Sequence, residues 1–220
     1  MRTIRALAAA AAVATMAPAL AGAQQGRPFK DAWFWGIKGG GMTYANAAGN
    51  TQQAPVGGVD WLITRTRGGL YVAGSQAFFS GQAFVADNPN TPDSRTRRVN
   101  VSDVRHLDMA VMGFPGTHVF FHPYAGFGMT LSQVGSAVAP GPYSLPADSG
   151  TAAQNIQDGR VSFSPLLLVG GQWRFRLASV FVQGTASPTQ KDFLLYNGNA
   201  MTWGYEVGVR YNIGSSIDKE

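Results

Sequence analysis

Lys38, Asp60, Glu206 and Arg210 are the side chains through which this chain could do chemistry: two bases and two carboxylates, near its two ends. Gathered in a narrow interior they would form an ion-pair network, Lys38–Glu206–Arg210–Asp60, because charges taken out of water must be paired. Such a network either fills and holds the interior or gates a small conductance. Arg174, Asp108, Gln76 and Gln172 are expected on the same inner surface. Other chemistries find less support. His106, His118 and His122 share no ligand spacing and the chain has no Cys, so no metal site is expected. His106 lies near Ser102 and Asp103, but in a strand Asp103 and His106 point to opposite faces, so no catalytic set converges and no enzyme is expected. Gly39-Gly40-Gly41, Gly57-Gly58 and Gly170-Gly171 precede neither a helix nor a Lys-Ser/Thr pair, so they are not phosphate loops. No cofactor is implied.

The elements that would position these charges are strands. In residues 201–213, Trp203, Tyr205, Val207, Val209, Tyr211 and Ile213 form one alternate row, and Thr202, Gly204, Glu206, Gly208, Arg210 and Asn212 form the other. Successive strand residues face opposite sides, so the segment has an apolar face with aromatics near both ends and a wet face of glycine and charge. Seven more runs alternate similarly, at about 32–44, 55–65, 69–86, 98–113, 122–134, 160–174 and 177–187. In the first, Trp33, Trp35 and Ile37 oppose Phe34, Gly36 and Lys38. In the third, Tyr71, Ala73, Ala77, Phe79 and Ala83 are expected outside, with Gly74, Gln76, Ser80 and Gln82 inside. In the fourth, Asp103 and Arg105 fall on the outward row, so they sit above the hydrocarbon or a bulge flips the register.

Connections alternate in length. Thr66–Gly68 and the turn at Phe175-Arg176 are short, and 114–121 is middling. Residues 45–54, 87–97, 135–159 and 188–199 are longer and polar. A transmembrane barrel has this asymmetry, with short periplasmic turns and long outer loops. The expected fold is therefore all-β: one eight-stranded antiparallel up-and-down transmembrane β-barrel.

Composition agrees. The 220 residues hold 28 Gly, 11% aromatic and only 13% charged side chains, and suit one domain. No apolar run outside the extreme N-terminus is long enough for a membrane helix. The formal charge is +5, and +3 without Arg2 and Arg5, too mild to imply nucleic acid. Residues 1–23 have the form of a signal peptide: Arg2 and Arg5, an apolar Ala6–Ala14 core, and Ala21-Gly22-Ala23 for cleavage. A linker over 24–30, a barrel over 31–214 and a polar tail over 215–220 complete the expected layout.

In this layout the chain resembles the small eight-stranded outer-membrane barrels, the group of the OmpX, OmpW and OmpA transmembrane domains. The last strand carries the sharpest match: Glu206, Gly208, Tyr211 and Ile213 fit the family's assembly signal. The resemblance implies the cell outer membrane as location, the barrel-assembly machinery as transient partner, and outer-membrane lipid or lipopolysaccharide as surroundings. Arg95, Arg97 and Arg98 are placed to meet lipopolysaccharide phosphates. The short tail departs from members that end on an aromatic, and it is too short for the second domain of the OmpA plan. The expected function is non-catalytic, structural or surface-interactive through the outer loops, with residues 135–159 foremost. The alternative is a narrow pore or a lateral route for small hydrophobic molecules, of the OmpW kind, supported by inward Phe34, Met42, Phe78, Phe181, Leu166 and Leu168. A soluble lipocalin-like carrier would require the faces to be reversed, which alternation alone does not decide.

Overall fold

The computed structural model describes residues 29–45, 51–86, 96–115, 120–139, 148–196 and 201–215. The strands are β1 (Ala32–Ala45), β2 (Thr51–Thr64), β3 (Gly68–Ala86), β4 (Thr96–Gly113), β5 (Phe121–Val138), β6 (Val161–Phe175), β7 (Ala178–Pro188) and β8 (Met201–Ser215). Each pairs antiparallel with the next, and β8 returns to β1 to close a barrel. Closure leaves every strand with two neighbours, which lipid demands because it offers no hydrogen bonds to a bare edge. The start of β1 and the end of β8 lie at one end of the barrel, with the tight turns. This is called the turn end, and the other the loop end.

The alternating rows resolve with the apolar side outward. Trp35, Ile37, Leu107, Val111, Phe127, Val169, Trp203 and Tyr205 are all exposed, while Lys38, Asp60, Glu206 and Arg210 are buried. In water this arrangement would leave a broad apolar belt uncovered. In a bilayer it is the stable one. Aromatics cluster at the turn end of the belt: Trp33 meets Trp61 edge-on at 5.5 Å, Trp35 stacks on Trp61 at 5.8 Å, and Phe121 lies 5.0 Å from Trp173. Rings with a polar edge favour the headgroup level.

The third strand corrects the sequence reading. Tyr71, Ala73, Ala77 and Ala83 are buried in the lumen, whereas Phe78 and Phe84 are exposed. Phe79, also expected outside, is half-buried and stacks on Tyr44 at 4.9 Å. Both rows of β3 mix apolar with small or polar residues. The small side chains go where space is scarce, and the Leu70, Phe78 and Phe84 row goes to the outside. Gln76 is therefore not a lumenal residue, and Phe78 does not make the lumen apolar.

On β4 the inward residues are His106 and Asp108 on the turn side of Asp103, but Val99 and Val101 on its loop side. The switch is a bulge: the pairing of β3 with β4 slips between Ala77 and Ser80, and Asp103 has a positive φ of 53°. Asp tolerates this left-handed conformation better than most residues. Its carboxylate accepts the Phe79 backbone N–H at 3.3 Å and the Gln76 amide at 3.4 Å, pinning the irregularity.

A helix, α1 (Asp148–Asp158), occupies part of the segment expected as plain loop. Ala152 and Ile156 lie four apart on its buried face. Ile156, Phe193, Leu194 and Leu195 pack with Tyr44, Val56, Val99 and Val101 to fill the loop end of the barrel. The turn end is filled by Phe34, Leu62, Tyr71, Met112, Phe114 and Leu168. Phe29, in the segment expected as linker, stacks on His122 at 4.1 Å and meets Phe114 edge-on at 4.9 Å. His122 is thus a buried residue of β5.

Candidate functional site

The register of the barrel sets the geometry of its waist. Gly36 of β1 pairs with Asp60 of β2 on one side and Arg210 of β8 on the other. Having no side chain, Gly36 leaves the space in which the other two meet. A Cβ there would lie 2.2 Å from Asp60 Oδ1 and 2.8 Å from Arg210 Cγ. The Arg210 guanidinium donates to Asp60 through Nε, and through Nη1 to Gln172 Oε1 at 2.9 Å. It also lies 3.7 Å over the Phe181 ring.

Lys38, two residues on, is flanked in the same way by Gly58 and Gly208. Its ammonium reaches Glu206 at 2.8 Å and Asp108 at 3.8 Å, and donates to the Tyr71 hydroxyl at 3.2 Å. Gln183 donates to Glu206 at 2.6 Å and to the same Tyr71 hydroxyl at 3.0 Å, and accepts from Tyr124 at 3.0 Å. The four charges expected to meet are therefore arranged as two pairs, Lys38–Glu206 and Arg210–Asp60. The link between them is not a Glu206–Arg210 contact. It runs through Tyr71, whose hydroxyl serves Lys38 and Gln183 while its ring lies 5.6 Å from the Arg210 guanidinium. Sequence reasoning missed Tyr71 because it placed it on the lipid side. The flanking glycines of Lys38, which open room for a large neighbour, were the available signal.

The side chains of Lys38, Arg210 and Asp60 have no exposed surface. A desolvated ion pair holds only while both partners and their hydrogen bonds are in place. The waist is therefore a plug of mutually dependent side chains between two apolar plugs.

On the loop side of the waist lies a cavity of about 40 Å³. Asp108 and Glu206 form its floor, and Ser132, Ser162, Ser164, Thr185, Ser187 and Thr202 contribute hydroxyls to its walls. His106 stands in the wall between two hydroxyls, with Nδ1 2.9 Å from Ser132 Oγ and Nε2 2.8 Å from Tyr44 OH. A hydroxyl–imidazole contact is half of a nucleophilic machine, but here the second nitrogen faces Tyr44 and not a carboxylate. The nearby Asp108 is turned to Lys38 instead.

The remaining expected residues fall as follows. Arg174 is half-buried on the Gln172 row. Of the assembly-signal positions, Glu206 faces the lumen, Tyr211 and Ile213 are exposed on the belt, and Gly208 lies against Phe181. Arg98 is exposed on β4 at the loop end, its guanidinium 6.0 Å over Phe84. His118, Arg95 and residues 1–28 and 216–220, which include the expected signal peptide, most of the linker and most of the tail, lie outside the described residues.

No protein-family model matches the sequence, and no curated protein does. Solved structures do match in fold. The chain is similar to Neisserial surface protein A, NspA, at TM-score 0.53 and 11% identity, over 82% of this chain and 97% of that one. It is likewise similar to Ail, the attachment invasion locus protein of Yersinia pestis, at TM-score 0.52 and 8% identity, over 84% of this chain and all of the other. At such identities the likeness is one of fold, and the fold is that of the small eight-stranded outer-membrane barrels.

Proposed function

We propose that this chain is an exported, non-catalytic barrel of the cell outer membrane whose lumen is sealed. Its turn end faces the periplasm, and it acts through the surface of its loop end. The apolar belt supports the location, since only lipid covers such a surface stably. The sealed waist carries the functional reading: Lys38, Arg210, Asp60 and Glu206 fill the section through which any axial flow would pass. A narrow eight-stranded lumen holds side chains in place of water. What is left for exchange with the outside is the loop end, where α1 and Phe193–Leu195 cap the barrel. Glu206, Gly208, Tyr211 and Ile213 serve the barrel-assembly machinery, and Arg97 and Arg98, at the loop end of β4, meet lipopolysaccharide phosphates.

A second reading, a lateral route for small hydrophobic molecules, has one observation in its favour, a parting of β6 from β7 described below. Against it, the cavity behind the parting has the carboxylates of Asp108 and Glu206 in its lining and stops at the waist. The test is a gel shift of the detergent-folded chain before and after boiling, together with its fractionation from cells. A heat-dependent shift in the outer-membrane fraction is expected. A soluble band with no shift would overturn the reading.

A further inference from the structure

β6 and β7 pair from Phe175 with Ala178 only as far as Leu167 with Ala186. Beyond that point, among the described residues, no strand pairs with β6 on this side over 161–166. β7 ends two residues later at Pro188. The freed edge is treated like a sheet edge. The Phe163 carbonyl accepts from the Gln190 side-chain amide at 2.6 Å in place of a β7 N–H. Two residues on, in the same alternation, stands Pro165, which has no N–H to leave unsatisfied. The parting is therefore written into the sequence.

The cavity lies directly behind it. Ser164 and Leu166 line it from the β6 edge, and Thr185, Ser187 and Thr189 line it from β7 and the residue that follows. Its lining includes Asp108 and Glu206 and no lysine or arginine. Lys38 behind the floor serves both carboxylates, at 3.8 Å and 2.8 Å. One ammonium serves two carboxylates, so the pocket is one cation short of full pairing. The walls supply hydroxyls that donate and accept.

We propose that this pocket, opening sideways between β6 and β7, is a binding site for a small molecule or head group carrying an ammonium and a hydroxyl, an amino alcohol in the simplest case. The inference rests on the reading of the chain as a lipid-embedded barrel, and it makes the cavity a dead-end site in place of a passage.

Because the chain has no Cys, single cysteines test it cleanly. Ser164→Cys and, on the opposite wall, Thr185→Cys are made in the full chain and folded in detergent. Each is treated with a cationic aminoethyl or an anionic sulfonatoethyl methanethiosulfonate of similar size. The cationic reagent is expected to react faster by about tenfold or more, as one unit charge near an unbalanced carboxylate requires. Ethanolamine should slow that reaction and ethanol should not. Adding Thr189→Trp, just past the end of β7 where the pocket meets the parting, should slow it also. Equal rates for the two reagents, or no protection by ethanolamine, would overturn the ligand class. An unchanged rate with Thr189→Trp would overturn the side opening. No reaction at either cysteine in protein that still shifts on boiling would overturn the pocket. Absence of that shift in the unsubstituted chain would instead overturn the barrel reading beneath it.

Discussion

Arg210 and Asp60 form their ion pair across Gly36, a residue belonging to the strand between them. The pair exists because the intervening position has no side chain. A fully buried arginine is thus tied to a glycine elsewhere in the sequence, and that dependence can be tested.

Gly36→Ala places a methyl group where Asp60 Oδ1 and Arg210 Cγ now lie. The expected loss of stability is about 3 kcal/mol, the order associated with breaking a buried pair. Gly39→Ala is the control, since its added carbon meets nothing nearer than 3.7 Å, and it should cost under about 1 kcal/mol. Urea unfolding of the folded barrel, followed by the gel shift, measures both.

Lys38 and Glu206 should behave as a unit. Lys38→Met or Glu206→Gln alone is expected to cost about 3–5 kcal/mol, because each leaves a buried partner uncompensated. The double variant should lose clearly less than the sum, and a double-mutant cycle in urea reads the difference. Additive losses would mean that the two side chains are independent despite their 2.8 Å separation.

Asp103 should matter through its conformation as well as its carboxylate. Asp103→Ala forces alanine into a positive φ and removes acceptors from Phe79 and Gln76, with an expected cost of about 1–2 kcal/mol. Asp103→Asn keeps the conformational tolerance and one acceptor oxygen, so it should retain most of the stability. Equal losses in the two would remove the bulge argument.

The tryptophans should report the belt. Trp33, Trp35, Trp61 and Trp173 lie at the turn end and Trp203 at the loop end. In bilayers their emission should be blue-shifted, and lipids brominated high on the acyl chain should quench it more than lipids brominated near the chain end. The reverse order would place these rings at the bilayer centre and undo the girdle.

Much of this architecture is legible in the sequence, and the failures share a cause. Alternation places the eight strands and the lumenal side of Lys38, Glu206 and Arg210 because one row of β8 is far more polar than the other and, in β1, Lys38 opposes a row led by Trp33, Trp35 and Ile37. On β3 it reverses the faces, because alanines and a tyrosine oppose a row interrupted by Gly74 and Gln76, and hydropathy alone cannot rank them. Lumen crowding decides instead, and crowding is a property of neighbouring strands. The helix Asp148–Asp158 is hidden by its polarity, with only Ala152 and Ile156 marking a buried face. The parting of β6 from β7 needs the register of both strands, although Pro165 and Pro188 are visible hints. Tyr71 as the link between the ion pairs follows only once β3 is turned the right way.

The most direct test of the sealed lumen is planar-bilayer recording of chain that has passed the gel-shift assay. With the waist plugged by Lys38, Glu206, Arg210 and Asp60, insertion should leave the membrane at baseline conductance. Pairing Gly36→Ala with Glu206→Gln should be needed before any steps appear. Stable, voltage-independent conductance steps from the unsubstituted chain would contradict the closed waist and return the protein to the class of pores.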